Sequence, residues 1–315
     1  MSTHELHVIF GTGPLGKNTM RELLRLGKQV RMVNRRGVAE GIPGEVEVVQ
    51  GDGYDPHSVA AVTRNAAAVY QCAQPEYHQW EEKFPALQRS ILKGTAHNGA
   101  ALIVGDNLYM YGDPDGAVIT EDSPLRPTTK KGRIRHQMAQ EILEAHKHGE
   151  VQAAICRASN FFGAEYDVIG DLVFKPALQG KTANLIGRKD VPHTFTYIPD
   201  FGRALATLGT HREALGQVWI APSLPAMTQD QLIEHLSAAL GKPIKARYAN
   251  RLMMSIFGLF SPSAKETVEM MYEFEKPFVA SSAKFEKTFG IAPTGFDQAL
   301  KETVQWYYAQ GMAAA

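Results

Sequence analysis

The sequence predicts an α/β protein: a doubly wound parallel sheet followed by a smaller, less regular C-terminal lobe. Three observations carry that reading. Short β-branched runs alternate with longer helical patterns through the first half, the signature of parallel strands joined by crossover helices. A glycine-rich hexapeptide falls directly between the first run and the first helix. After Arg157 the alternation stops, and glycine, proline and aromatic residues become more frequent. A first domain of residues 1–158 and a substrate-binding lobe of residues 159–315 follow, in keeping with 315 residues at roughly 150 per domain.

The elements follow from local pattern. Residues 4–10 read as the first strand, 15–26 as an amphipathic helix and 29–34 as the second strand. Further strands are expected at 46–50, 67–71, 100–105 and 152–157. Residues 55–63, 80–98 and 131–148 have helix composition, and each is long enough for a right-handed crossover. In the second half, 217–220 is strand-like and is expected to return to the main sheet. Thr228 with Gln231 forms a capping-box pattern, and Asp200 is expected to cap a helix over 201–208.

Composition excludes several classes of function. Thirty-three basic residues balance 33 acidic ones, so the chain has no cationic excess for a nucleic-acid backbone or an anionic membrane. At 44% hydrophobic it can bury a sizeable core. Cys72 and Cys156 are too few for a disulfide framework, and His4, His7, His146 and His148 lack the spacing of a zinc site, so no metal is expected. The N-terminal apolar stretch is too short for a signal peptide, and the most apolar region, 252–260, is about half of what a bilayer requires. A cytoplasmic protein is expected. The 252–260 stretch reads as cover for an apolar pocket or as packing of the second lobe, with lipid or partner binding as the alternative.

Gly11-Thr12-Gly13-Pro14-Leu15-Gly16 follows the first strand and opens the first helix. Glycine serves there because the loop must turn tightly, let backbone approach a pyrophosphate, and pack helix on strand. The helix N-terminus then offers N–H groups and a positive dipole end to the phosphates. This is the fingerprint of a Rossmann NAD(P)-binding domain. The second strand ends in Asn34-Arg35-Arg36, where an NAD site carries an acid for the ribose 2′-hydroxyl and an NADP site an arginine for the 2′-phosphate. No acid lies between Val33 and Gly37, so NADP(H) is preferred over NAD(H), the alternative being a solvated basic turn. Asp52 either accepts from the adenine amino group or makes an Asx turn. Cys72-Ala73-Gln74, after the fourth strand, is expected beside the ribose and pyrophosphate.

Four stretches together carry a family resemblance: the glycine loop, Tyr111-Gly112, Ile119-Thr120-Glu121-Asp122-Ser123-Pro124 with Pro127, and the run from Thr194 to Asp200. Over nearly its whole length the chain resembles the extended branch of the short-chain dehydrogenase/reductase superfamily, the NAD(P)-dependent epimerases and dehydratases. The resemblance implies a Ser four residues before the Tyr of Tyr-Gly, where this chain has Asn107. It also implies Tyr-x-x-x-Lys at the next helix start, where the register gives Lys131-Gly-Arg-Ile-Arg135. The chain thus looks like the atypical subgroup, in which these positions are poorly kept. Lys131 with Ile134-Arg135, and Ser159-Asn160-Phe161-Phe162 after the sixth strand, are similar to the isoflavone-reductase and phenylcoumaran-benzylic-ether-reductase group, which uses a lysine at this helix start. The resemblance further implies a homodimer through helices of the first domain, with 131–148 as one candidate.

Lys131 and Arg135 share one helix face, and a like charge four residues away disfavours a protonated ammonium, the direction a general base requires. The competing reading is a solvated basic face with Lys130, Arg133 and His136. Asn107 is expected to polarise a carbonyl, Asn160 and Phe161 to line the nicotinamide side, and Tyr109 and Tyr111 either to orient a substrate or simply to pack. Three functions follow. The first is an NADPH-dependent reductase of a small, fairly apolar carbonyl or unsaturated substrate. The second is an NADP(H) sensor resembling the nitrogen-metabolite-repression regulators. The third, a sugar-nucleotide epimerase or dehydratase, ranks last because its chemistry relies on the Tyr-Lys pair.

Overall fold

The computed structural model describes residues 5–311, which form two units. The first takes in residues up to 110, 130–158 and 201–221; the second comprises 111–129, 159–200 and 222 onward. His4, read as the start of the first strand, lies outside the described residues.

The first unit begins with β1 (Leu6–Phe10), α1 (Pro14–Arg25) and β2 (Gln29–Asn34). It continues through β3 (Glu47–Gln50), α2 (Pro56–Val62), β4 (Ala66–Gln71), α3 (Trp80–His97), β5 (Ala101–Asn107), α4 (Lys130–Lys147) and β6 (Gln152–Ala158). All seven strands of its sheet are parallel, in the order Val218–Ile220, β6, β5, β4, β1, β2, β3. This is the α/β Rossmann fold that the sequence predicts. The order reverses between β1 and β4, and in such sheets ligands bind outside the carboxyl ends of the strands at that switch point.

Parallel strands covered on both faces read as unbroken apolar runs, and Val8, Ile9 and Phe10 of β1 are all buried. Val8, Phe10, Val69, Leu102, Val104 and Ile155 pack on one face against Phe84, Leu87 and Ile91 of α3 and Met138 and Ile142 of α4. On the other face Gly105 of β5 approaches Leu15 of α1 and Phe201, the latter in the helix Ile198–Thr210. Burying each such aliphatic side chain contributes about 1.5–3 kcal/mol.

In the second unit β7 (Asn160–Phe162) pairs parallel with β9 (Phe195–Tyr197), and β8 (Ala183–Ile186) pairs parallel with Ala246–Ala249. Phe162, Phe174, Leu185, Leu232 and Tyr307 belong to its core. Thr228 and Gln231 make the reciprocal bonds of a capping box at the start of Gln229–Leu240. Asp200 departs from its expected capping role. It lies inside the first turn of Ile198–Thr210, and its carboxylate accepts from the backbone N–H and hydroxyl of Thr294, both at 2.7 Å. The 252–260 stretch also departs from expectation. Met254 is buried, but Leu259 and Phe260 are 78% and 85% exposed, so most of the stretch lies on the surface. Among the described residues no helix is long and apolar enough to cross a membrane.

Candidate active site

The glycine loop closes against the end of β4. Gly11 has φ +111°, and a Cβ there would fall 2.9 Å from the Ala73 nitrogen and 3.0 Å from the Cys72 carbonyl carbon. A Cβ on Gly16 would meet the Gly11 oxygen at 2.0 Å, so α1 can start this close to β1 only with glycine. Gly13 differs from both. Its φ of −81° suits any residue, and a Cβ there would meet nothing within 4 Å. The chain itself therefore gives no reason for glycine at 13, whereas a pyrophosphate approaching the backbone does. Gly13 is the N-cap of α1 with Pro14 after it and makes no side-chain cap, so the first-turn N–H groups point out of the helix start.

The three glycines thus make separable predictions. Gly13→Ala is expected to leave thermal unfolding unchanged while weakening dinucleotide binding about tenfold or more, the loss of at least one charge-assisted hydrogen bond. Gly16→Ala is expected to lower both. Calorimetric titration with NADPH and a melting curve on each variant check this, and unaltered affinity in Gly13→Ala would refute the pyrophosphate assignment.

Asn34, at the end of β2, uses its whole amide within the chain. Its Nδ2 donates to Thr12 Oγ1 at 3.0 Å and to the Val38 carbonyl at 2.9 Å. Its Oδ1 accepts from the backbone N–H groups of Arg36 and Gly37 at 2.9 and 2.8 Å. Two donors and two lone pairs are then satisfied, so the Asn34 amide ties the glycine loop to the turn that carries Arg35 and Arg36. Both arginines are exposed and make no ion pair among the described residues. Asp52 forms the Asx turn, accepting from the Tyr54 N–H at 2.9 Å, and remains exposed. Cys72 donates its N–H to the Phe10 carbonyl, and Cys72 and Ala73 lie against Gly11 of the loop, with Gln74 next in the chain and exposed. Burial pushes the Cys72 thiol up to about 12, so it is no nucleophile.

Arg135 has a partner that spacing did not reveal. Its guanidinium donates through Nε to Asp106 Oδ1 at 2.7 Å, again to that oxygen through Nη2, and to the Gly105 carbonyl at 3.2 Å. Arg157 Nε donates to Asp106 Oδ2 at 3.2 Å, and all three side chains are nearly inaccessible. The Arg135 guanidinium also lies 4.6 Å from the centre of the Phe84 ring. The expected repulsion of Lys131 by Arg135 is therefore offset by Asp106. Arg135 braces β5, β6 and α4 rather than standing as an open cation.

Lys131 is 2% exposed, which corrects the alternative of a solvated basic face at this position. Its Nζ sits 4.4 Å from the centre of the Tyr77 ring. The Tyr77 hydroxyl lies 3.5 Å from that of Tyr109, and the Tyr109 N–H donates to Asn107 Oδ1 at 3.1 Å. Trp80 packs on both tyrosines. Lys131, Asn107 and Tyr109 thus gather at the carboxyl ends of β4 and β5 together with Tyr77, which the sequence reading passed over. The available signal was a tyrosine just beyond the fourth strand, on the edge where ligands bind.

Asn160, Phe161 and Tyr111 belong to the second unit. Tyr111 is buried, and Phe161 packs edge-on against Tyr166. Asn160 contacts His193 Nε2 at 3.2 Å, while His193 Nδ1 lies 3.0 Å from the Glu273 carbonyl. A carbonyl only accepts, so Nδ1 carries the hydrogen. Burial holds the imidazole near 4, hence neutral, so Nε2 accepts and the nitrogen of the Asn160 amide must face it. The Asn160 oxygen is thereby left to face away from His193.

Residues 8–220, spanning the sheet and the loop just described, match the NAD dependent epimerase/dehydratase family. This chain belongs to that family. Among the relatives of this epimerase/dehydratase member, UDP-arabinose 4-epimerase 1 of Arabidopsis thaliana is 27% identical over 185 residues, 52% of this chain and 44% of that protein. UDP-glucose 4-epimerase of Lactobacillus helveticus is 22% identical over 51% of this chain and 52% of its own. The chain spans about half the length of these curated relatives. Two solved structures share the fold: dTDP-glucose 4,6-dehydratase of Bacillus anthracis in complex with NAD, at TM-score 0.79, and UDP-glucose 4-epimerase of Thermus thermophilus in complex with NAD, at 0.78. Each is 16% identical; the first covers 98% of both chains, and the second covers 96% of this chain and 99% of its own.

Proposed function

We propose that this family member binds NADP(H) in preference to NAD(H) and reduces a small, fairly apolar carbonyl or unsaturated substrate. The observation that carries the reading is a buried ammonium, Lys131, gathered with Asn107 and two tyrosines where the strands end. For the cofactor, Gly11, Thr12, Gly13, Pro14, Leu15 and Gly16 hold the pyrophosphate. Arg35 and Arg36 meet the 2′-phosphate, Asp52 lies toward the adenine, and Cys72, Ala73 and Gln74 lie toward the ribose. When bound, the reduced nicotinamide supplies a hydride. Asn107 donates through its amide nitrogen to the acceptor oxygen, Lys131 sustains the charge that grows there, and the proton reaches that oxygen from this cluster.

The names of the relatives favour a second reading, a sugar-nucleotide epimerase or dehydratase, and two of the solved structures hold NAD. Against it stand Lys131 in the place where the resemblance implies tyrosine, and Arg135, in the place of the lysine, held by Asp106. The test is to incubate the protein with NADPH and a panel of aldehydes, ketones, quinones and enones, and with UDP- and dTDP-sugars. Turnover of a carbonyl or enone that is lost in Lys131→Ala, with NADPH binding kept, is the expected result. Tight NADPH binding without turnover of anything would favour a sensor, and conversion of a sugar nucleotide would favour the second reading.

A further inference from the structure

We infer that Tyr77 is the catalytic phenol of this site, paired with Lys131 across the turn after β4 instead of along one helix. The inference rests on the reductase reading and names the group that hands over its proton.

Four observations converge on Tyr77. The Lys131 Nζ lies over its ring, 4.4 Å from the centre, and Lys131 is 2% exposed. A desolvated cation at the face of a ring is attracted to it, and the same charge favours the phenolate over the phenol. The Tyr77 hydroxyl points toward that of Tyr109, 3.5 Å away, at the outer limit of a hydrogen bond. Tyr109 is anchored through its N–H on Asn107 Oδ1, at the end of β5. Finally, Tyr77 is half-buried, so its ring is fixed by Trp80 while part of the residue stays open.

The position is apt for exchange of roles. Where the resemblance implies a tyrosine at the helix start with a cation one turn on, this chain supplies the cation at the helix start, Lys131. Its phenol comes from the segment after the fourth strand, 54 residues earlier. Hydride reaches the carbonyl carbon, the π-bond electrons pass to oxygen, and that oxygen takes the hydroxyl proton of Tyr77. The O–H bond of the phenol breaks, a phenolate remains beside the Lys131 ammonium, and water restores the proton. No oxidant beyond the carbonyl and no reductant beyond the dihydronicotinamide is required.

Tyr77→Phe keeps the ring, its packing on Trp80 and its contact with Lys131, so only the hydroxyl is lost. With a substrate from the panel, kcat is expected to fall about a hundredfold or more, the usual contribution of a general acid, with KM little changed and the alkaline limb of the pH profile abolished. Ultraviolet difference titration of the protein without substrate supplies an independent readout. One phenol is expected to ionise below the ordinary tyrosine value of about 10. That transition should vanish in Tyr77→Phe and move to higher pH in Lys131→Met. Wild-type turnover and pH profile in Tyr77→Phe, or the absence of that early-titrating phenol, overturns the inference. If the titration behaves as stated but no carbonyl is reduced by the wild type, the Tyr77–Lys131 pair stands and the reductase reading falls.

Discussion

Asp106→Ala is expected to lower the unfolding free energy by about 3–5 kcal/mol, because it strips two buried guanidiniums of the carboxylate they share. Arg135 and Arg157 reach opposite oxygens of Asp106, and each is 2% exposed. Neither guanidinium can shed its charge, since arginine does not deprotonate in proteins. Water must then enter, or the ends of β5, β6 and α4 must part. Urea unfolding of wild type and variant measures the effect as a drop in midpoint, and a loss below about 1 kcal/mol would mean that the cluster is hydrated. A companion variant sharpens the reading. Replacing Asp106, Arg135 and Arg157 together with apolar residues of similar volume should recover most of the loss, since desolvation of the charges offsets much of their attraction.

The second large effect concerns the cofactor. Arg35→Ala combined with Arg36→Ala is expected to weaken NADPH binding about tenfold to a hundredfold, the size of one or two charge-assisted hydrogen bonds, while NADH binding and thermal stability hold. Both side chains are exposed, so nothing in the core depends on them. The difference between the two cofactors should narrow as salt rises, because exposed charges are screened. Titration calorimetry with each dinucleotide at two ionic strengths reads all of this. Equal wild-type affinity for the two cofactors would remove the assignment.

Much of the first unit was legible because its strands are buried on both faces, and continuous apolar runs mark their own ends. The second strand falls where the pattern places it, at Gln29–Asn34, and the fourth begins a single residue early, at Ala66. The fifth strand runs two residues beyond Gly105, through Asp106 and Asn107. A buried aspartate looks like a strand end when only neighbours are read. Its partners lie 29 and 51 residues away, and local pattern carries no trace of them. Tyr77 escaped for the same reason, since its significance comes from Lys131 on another element. The 252–260 stretch misled in the opposite sense. Hydropathy counts apolar residues without recording which way they face, and here Leu259 and Phe260 face outward.

Asn34 holds the shape of its turn with all four hydrogen bonds of one amide, one of them from the Arg36 backbone, while the side chains of Arg35 and Arg36 stand exposed. The turn's architecture thus rests on Asn34, and the recognition proposed for Arg35 and Arg36 would fall to adjacent side chains. A lineage carrying this turn could exchange Arg35 or Arg36 for an acid and change which dinucleotide it takes up without refolding the loop. On the proposed assignment of Arg35 and Arg36, cofactor choice would be a surface trait mounted on a fixed frame.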